Sequence, residues 1–230
     1  GDARLAISTF EDALAISRQI GDRIGEGASL GNLGAACGQL GDFRQAAGYL
    51  EQALAISREI GNRRNEGIAL GNLGTAYLQL SDIQQAIGHF EKALAIFREI
   101  GDRQGEGANL INLGNTCVLL KDNLTASSYF EQALMIVREI GDRYQEGGVL
   151  GNLGVIHKIQ GDTRRAIGYH EQALAIFREI GALDYVSITC LNMAQIYDQQ
   201  GIPAQALPLA REAAYLAEQM GQAARAQQAQ

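Results

Sequence analysis

The 230-residue sequence predicts an all-α fold, an α-solenoid of antiparallel helical hairpins, on three observations. Nearly the same phrase returns every forty residues with nothing inserted or deleted, as in "GNLGTAYLQL" at Gly71 and "GNLGVIHKIQ" at Gly151. Each copy therefore adds the same structural step. Within each half-copy, apolar residues recur at three- and four-residue spacing, which gathers them on one stripe of a helix. Most half-copies begin with Gly-Asp. Glycine suits the left-handed residue that ends one helix, and aspartate suits the N-cap of the next. A connection this short forces neighbouring helices to run antiparallel.

Taken in order, residues 1–20 read as a single helix of the second-half type, with Leu5, Ala6, Phe10, Ala13 and Leu14 on its stripe. With no first-half partner of its own, that stripe is expected to be exposed, as at the end of a piece of a longer array or under a neighbouring molecule. Regular hairpins follow at 21–60, 61–100, 101–140 and 141–180. In the first of them Ala46, Ala47, Leu50, Ala53, Leu54, Ser57 and Ile60 form the stripe, while Arg44, Glu51, Arg58 and Glu59 fall mostly off it. A divergent fifth hairpin occupies 181–220. There Pro203 fits a first helical turn, and Pro208 is expected to delay or kink the helix. Residues 221–230, "GQAARAQQAQ", read as a polar cap or frayed tail.

Glycines within the first helices need a reason, because each costs about 1 kcal/mol of helix propensity relative to alanine. Gly34, Gly74, Gly114 and Gly154 stand where a missing side chain lets the paired helix approach. Ala46, Ala86, Ala126 and Ala166, twelve residues later, are small for the same reason.

The pattern Leu70, Leu73-Gly74, Tyr77, Ala86, Phe90, Ala93 resembles the tetratricopeptide repeat, and the resemblance covers essentially the whole chain. The usual period is about 34 residues. The forty-residue form here is similar to the repeats of the spindle-orientation adaptor LGN/Pins, of kinesin light chains and of bacterial arrays attached to signalling proteins. HEAT and armadillo repeats share the longer period but do not explain the Leu-Gly, aromatic and paired alanines together. The resemblance implies a right-handed superhelix whose concave face is lined by the first helices and binds extended peptide segments.

The position before each Leu-Gly pair is Asn32, Asn72, Asn112 and Asn152, with Asn192 in the divergent copy. In the family this position faces the groove. An asparagine amide offers one acceptor and two N–H donors, so it can pair with a peptide bond in both directions. Helices roughly 8–10 Å apart, set against about 3.3 Å per residue of extended chain, would let one asparagine meet about every third peptide unit. Thr75, Asn115 and Gln195 lie three residues on, and Gln39 and Gln79 seven residues on. These ten residues are the expected peptide-binding set. None of the flanking groove positions is basic, so an acidic ligand or a clamped C-terminal carboxylate is not implied, and a neutral to apolar segment is expected. The alternative is that the asparagines bond neighbouring helix backbone and serve structure alone.

Other residues read as structural. Arg23 with Glu26, Arg103 with Glu106 and Arg143 with Glu146 have the three-residue spacing of solvated pairs, worth a few tenths of a kcal/mol. His89, His157 and His170 occupy aromatic-type positions and form no metal-ligand spacing. Cys37, Cys117 and Cys190 are odd in number and widely spaced, as expected of small buried hydrophobes in a reducing cytosol. A net charge of -7 and pI of about 5.0, with the basic residues interspersed among acidic ones, argue against nucleic-acid or membrane partners. No apolar run reaches the length of a membrane span, and Gly1 lies within a periodic segment, so no signal peptide is expected. There is no phosphate-loop, nucleophile-elbow or metalloprotease motif, hence no cofactor, metal or catalytic residue is expected. The sequence therefore predicts a cytoplasmic, non-catalytic scaffold that holds a protein segment along an asparagine ladder. The alternatives are a structural arm of a larger signalling protein and end-to-end self-assembly through the first helix.

Overall fold

The computed structural model describes residues 2–228, with side chains described over 4–221. Among the described residues the elements are eleven helices: α1 (Asp2–Ile20), α2 (Arg23–Gln39), α3 (Phe43–Glu59), α4 (Arg63–Gln79), α5 (Ile83–Ile100), α6 (Arg103–Leu119), α7 (Asn123–Glu139), α8 (Arg143–Ile159), α9 (Thr163–Glu179), α10 (Leu183–Gln199) and α11 (Pro203–Gln228). They form two compact units, Gly1–Tyr129 and Phe130–Gln230, with the division falling inside α7.

The turns follow from the Gly-Asp pairs. At the end of α2 the Gly41 N–H donates to Gly38 O and the Asp42 N–H to Cys37 O, closing the helix with Gly41 at φ 81°. The Asp42 side chain then accepts from the Gln45 N–H to open α3. One residue thus ends one helix and caps the next, which makes the connection short. Asp22, Asn62, Asp82, Asp102, Asp142 and Asp162 cap their helices in the same way. Four junctions depart from the device, one of them Gly201-Ile202 before α11, where isoleucine has no side-chain acceptor to offer. Ser81 and Lys121 take the left-handed position at φ 64° and 61° where other copies have glycine, and Ala182 begins α10 with no side-chain cap.

In the first unit α2 packs on α3 and α4 on α5, and α3 on α4 and α5 on α6 join successive hairpins. The first helices also touch one another, α2 with α4 and α4 with α6. The core consists of leucine pairs, Leu30 with Leu33 and Leu70 with Leu73, set among Leu50, Leu54, Ile96 and Phe97. Helix α1 packs on α2, so the stripe expected to be exposed is mostly covered: Leu14 is buried and Phe10 half-buried, leaving Leu5 in the open. In the second unit α8 packs on α9, α9 on α10 and α10 on α11. Pro203 opens α11 and Pro208 lies within it. Helix continues to Gln228 through most of the stretch read as a tail; residues 229 and 230 lie outside the described residues.

The glycines in the first helices make room for a large side chain, one turn beyond the alanines expected to be their counterparts. A Cβ on Gly34 would meet Leu50 at 2.6 Å, one on Gly74 would meet Phe90 at 2.6 Å, and one on Gly154 would meet His170 at 2.7 Å. The packing gain of the large residue is what offsets the propensity cost.

The arginine–glutamate pairs are not the solvated pairs their spacing suggests. Glu26, Glu66, Glu106 and Glu146 are buried, 6–8% exposed, and each is gripped from two sides. Arg58 at the end of α3 reaches Glu66 at 2.8 Å across the turn, and Arg63 on α4 binds the other carboxylate oxygen. Arg63 also holds Glu99 at the end of α5, at 2.5 Å. Arg18, Arg23, Glu26 and Glu59 repeat the arrangement, as do Arg138, Arg143, Glu146 and Glu179 in the second unit. Arg18, followed by Arg23, holds the Glu26 carboxyl below its ordinary range, and Arg23, Arg63 and Arg143 do the same for Glu59, Glu99 and Glu179.

Candidate functional site: the asparagine face

Three hollows run along one face of the first unit, where α2, α4 and α6 lie side by side. The first, of about 250 Å³, has Asn32 and Asn72 in its lining with Ala28, Ala35 and Ile68. The second, of about 340 Å³, has Asn72, Asn112, Thr75 and Ala108. The third, of about 320 Å³, has Asn72, Thr75, Gln39 and Gln79. The structure thus brings together six of the ten sequence-derived site residues in one unit. Asn32, Asn72, Gln39, Gln79 and Thr75 are exposed and Asn112 is half-buried. The Thr75 hydroxyl donates to Gly71 O on its own helix. Asn115 is exposed on α6 but lines none of the three hollows.

The even spacing has a local cause. Every asparagine immediately precedes a Leu-Gly or, at Asn192, a Met-Ala pair that is buried. The apolar stripe fixes the rotation of each first helix, so the residue beside it takes the same place in every copy. In the second unit Asn152 and Asn192 hold the corresponding places on α8 and α10, both half-buried. Gln195 there accepts a hydrogen bond from Lys158 Nζ at 2.9 Å. Lys158 is the basic neighbour that inspection of the flanking columns missed, since it lies one residue before Ile159.

Sequence reasoning also passed over Asn109, Arg64 and Asp102, all in the lining of the second hollow. Arg64 Nε meets Asp102 Oδ2 at 3.0 Å. The Gly105 N–H, then Arg64, hold the Asp102 carboxyl below its usual range. Asn109 stands where other copies have Ser29, Ala69, Val149 and Thr189, and that single amide in an otherwise small or β-branched column was the available signal.

Elsewhere the titratable side chains are packed. His89 stacks on Tyr77 with ring centroids 5.2 Å apart, and His157 on Tyr169 at 5.3 Å. His170 is fully buried, and burial, with Lys158 adding to it, pushes its pKa down to about 4. Cys37, Cys117 and Cys190 are buried free thiols, and burial raises the pKa of each. Among the described residues no group of three or more His, Cys, Asp or Glu is arranged to hold a metal, and no helix is long and apolar enough to cross a membrane.

Alternating helices, a shared hairpin turn and a repeated face define a helical repeat protein. The chain belongs to the tetratricopeptide repeat family, whose model matches residues 1–59, 65–139 and 145–219. Proteins of this kind are generally non-catalytic scaffolds for protein interaction. No curated protein matches the chain. Among solved structures, BtubC from P. vanneervenii is similar at 22% identity and a TM-score of 0.85, over 96% of this chain and 93% of that one. A Rap protein complexed with Competence and Sporulation Factor is similar at 16% identity and a TM-score of 0.72, over 96% and 72%. A signal transduction ATPase with numerous domains from Pyrococcus horikoshii, which has a tetratricopeptide repeat sensor, is similar at 20% identity and a TM-score of 0.78; this chain spans 98% of itself but 36% of that protein. These likenesses are of fold.

Proposed function

We propose that the chain is a protein-interaction scaffold whose first unit holds an extended segment of a partner along the face carrying Asn32, Asn72 and Asn112. The observation that carries this reading is that Asn72 lines all three hollows of this face, joined by Asn32 in the one beside α2 and by Asn112 in the one beside α6. A peptide chain laid across the helices would meet an amide about every third residue. Each amide can donate and accept, which fixes direction and register without reading side chains. The walls between them are mostly small or apolar, with neutral Asn65, Gln104 and Asn109 among them, and the charged pair Arg64 with Asp102 neutralises itself. A neutral segment with small or apolar side chains suits such a surface. A Rap protein of the same fold is solved in complex with Competence and Sporulation Factor, in keeping with a binding role.

A second reading, a sensor or structural arm within a larger signalling protein, draws on the likeness to the sensor-bearing ATPase. Cell lysate passed over the immobilised protein and over an Asn32→Ala/Asn72→Ala/Asn112→Ala variant, with helicity checked by circular dichroism, separates the two. Partners retained by the parent and lost by an equally helical variant support groove binding. Equal capture by both favours the arm.

A further inference from the structure

Asn109 is the side chain whose chemistry the packing of the first unit leaves incomplete. It is 4% exposed, and its Nδ2 donates to Gly105 O on the preceding turn of α6 at 2.9 Å. That bond fixes the orientation of the amide, because a flipped side chain would set its oxygen against the carbonyl. Oδ1 is therefore the atom turned away from its own helix, and it is buried with no hydrogen-bond partner in the protein. A buried acceptor left in that state costs about 1–3 kcal/mol. The atom looks toward α4, where the missing side chain of Gly71 leaves the way open: a Cβ there would stand 3.3 Å from Oδ1. Asn109 and Gly71 both line the hollow of about 340 Å³, as do Asn72 and Asn112.

We propose that this hollow is a specificity pocket for a side-chain carboxamide, an asparagine or glutamine of the bound segment, whose N–H donates to Asn109 Oδ1. The pocket opens on the asparagine face and in that respect rests on the function proposed above. The lining selects for this group. An anion would face Oδ1 and the Asp102 carboxylate, both acceptors. A cation would find Asp102 already paired with Arg64. A ketone or ester would bring a second acceptor to an acceptor. A carboxamide donates to Asn109 Oδ1 and keeps a carbonyl oxygen for the amide N–H groups of Asn72 and Asn112 in the same lining. Because Oδ1 is itself buried, the discrimination comes from leaving it unpaired when the wrong group enters.

Propionamide and its near-isostere butanone test this directly. In ¹H–¹⁵N NMR titrations of the full chain, propionamide is expected to give saturable shifts at the Asn109 side-chain amide and at the Gly71 and Gly105 backbone amides. Butanone is expected to bind at least about fivefold more weakly, the ratio for one lost hydrogen bond of roughly 1 kcal/mol. Asn109→Ala, which installs the residue found at position 69, is expected to abolish the propionamide response, and Asn109→Val, the residue at 149, serves where the alanine variant loses helicity. Equal binding of butanone, no response to propionamide, or stronger responses to propanol, propionate or ethylammonium would each overturn the carboxamide assignment. Because the probe is a small molecule, the result stands apart from the ladder. A propionamide response in the parent combined with unchanged partner capture by the Asn32→Ala/Asn72→Ala/Asn112→Ala variant would retain the pocket and discard the ladder.

Discussion

At the scale of single residues, near-identical copies serve as internal controls, and His170 shows this most clearly. It fills the place that Phe90 and Phe130 fill in other copies, lies against Gly154, and neither ring nitrogen has a protein partner. Burial lowers its pKa from 6.5 to about 4, so the folded chain binds fewer protons than the unfolded chain between those values. The associated stability is fully present above pH 6.5 and is lost as pH falls toward 4, by an amount of about 3 kcal/mol. His170→Phe is expected to remove that slope and to raise stability at neutral pH; urea unfolding at pH 7.5 and 5 would show it, and an unchanged slope would mean the imidazole is not the group that titrates. The histidine's place in the packing was legible from its position in the repeat. Asn109 was not: aligning copies to find what repeats discards what occurs once, and an amide at one position in five looks like drift until the hollow beside it is seen.

At the scale of elements, a two-residue junction does the work of a loop, and its exceptions make predictions. Ala182 leaves α10 without the cap that aspartate provides elsewhere, so Ala182→Asp is expected to stabilise the second unit by about 1 kcal/mol. Lys121 holds a left-handed conformation that disfavours any side chain, and Lys121→Gly is expected to contribute a similar amount. Thermal unfolding of each variant measures these gains, and a Tm no higher than the parent's would refute them. The hairpins were readable because helix period, glycine and aspartate all agree at each boundary. The charge clamp was hidden for a physical reason. Arg63 and Glu66 have the spacing of an exposed pair, and only folding brings Arg58, from across the turn, to the other side of a carboxylate that is 6% exposed. Glu66→Gln keeps the shape but leaves Arg58 without its anion and Arg63 with Glu99 alone, at an expected cost of about 1–3 kcal/mol. Glu91→Gln, at an exposed position, should change denaturant stability by less than about 0.5 kcal/mol.

At the scale of the molecule, the repeat turns one residue choice into a surface. A stripe of leucines sets the rotation of each first helix, a shared turn sets the step, and an amide beside the stripe is then presented at regular intervals across α2, α4 and α6. The asparagine positions were legible from the sequence because they recur. The hollows between them were not, because they depend on which neighbouring positions are glycine or alanine once the helices are packed. The central claim is that this face grips a main chain, and a random-peptide display library offered to the immobilised protein tests it most directly. We predict peptides whose affinity falls by roughly 10- to 1,000-fold in the Asn32→Ala/Asn72→Ala/Asn112→Ala variant, the range expected for three hydrogen bonds of about 0.5–1.5 kcal/mol each. Peptides that bind parent and variant equally, with both proteins fully helical, would contradict it.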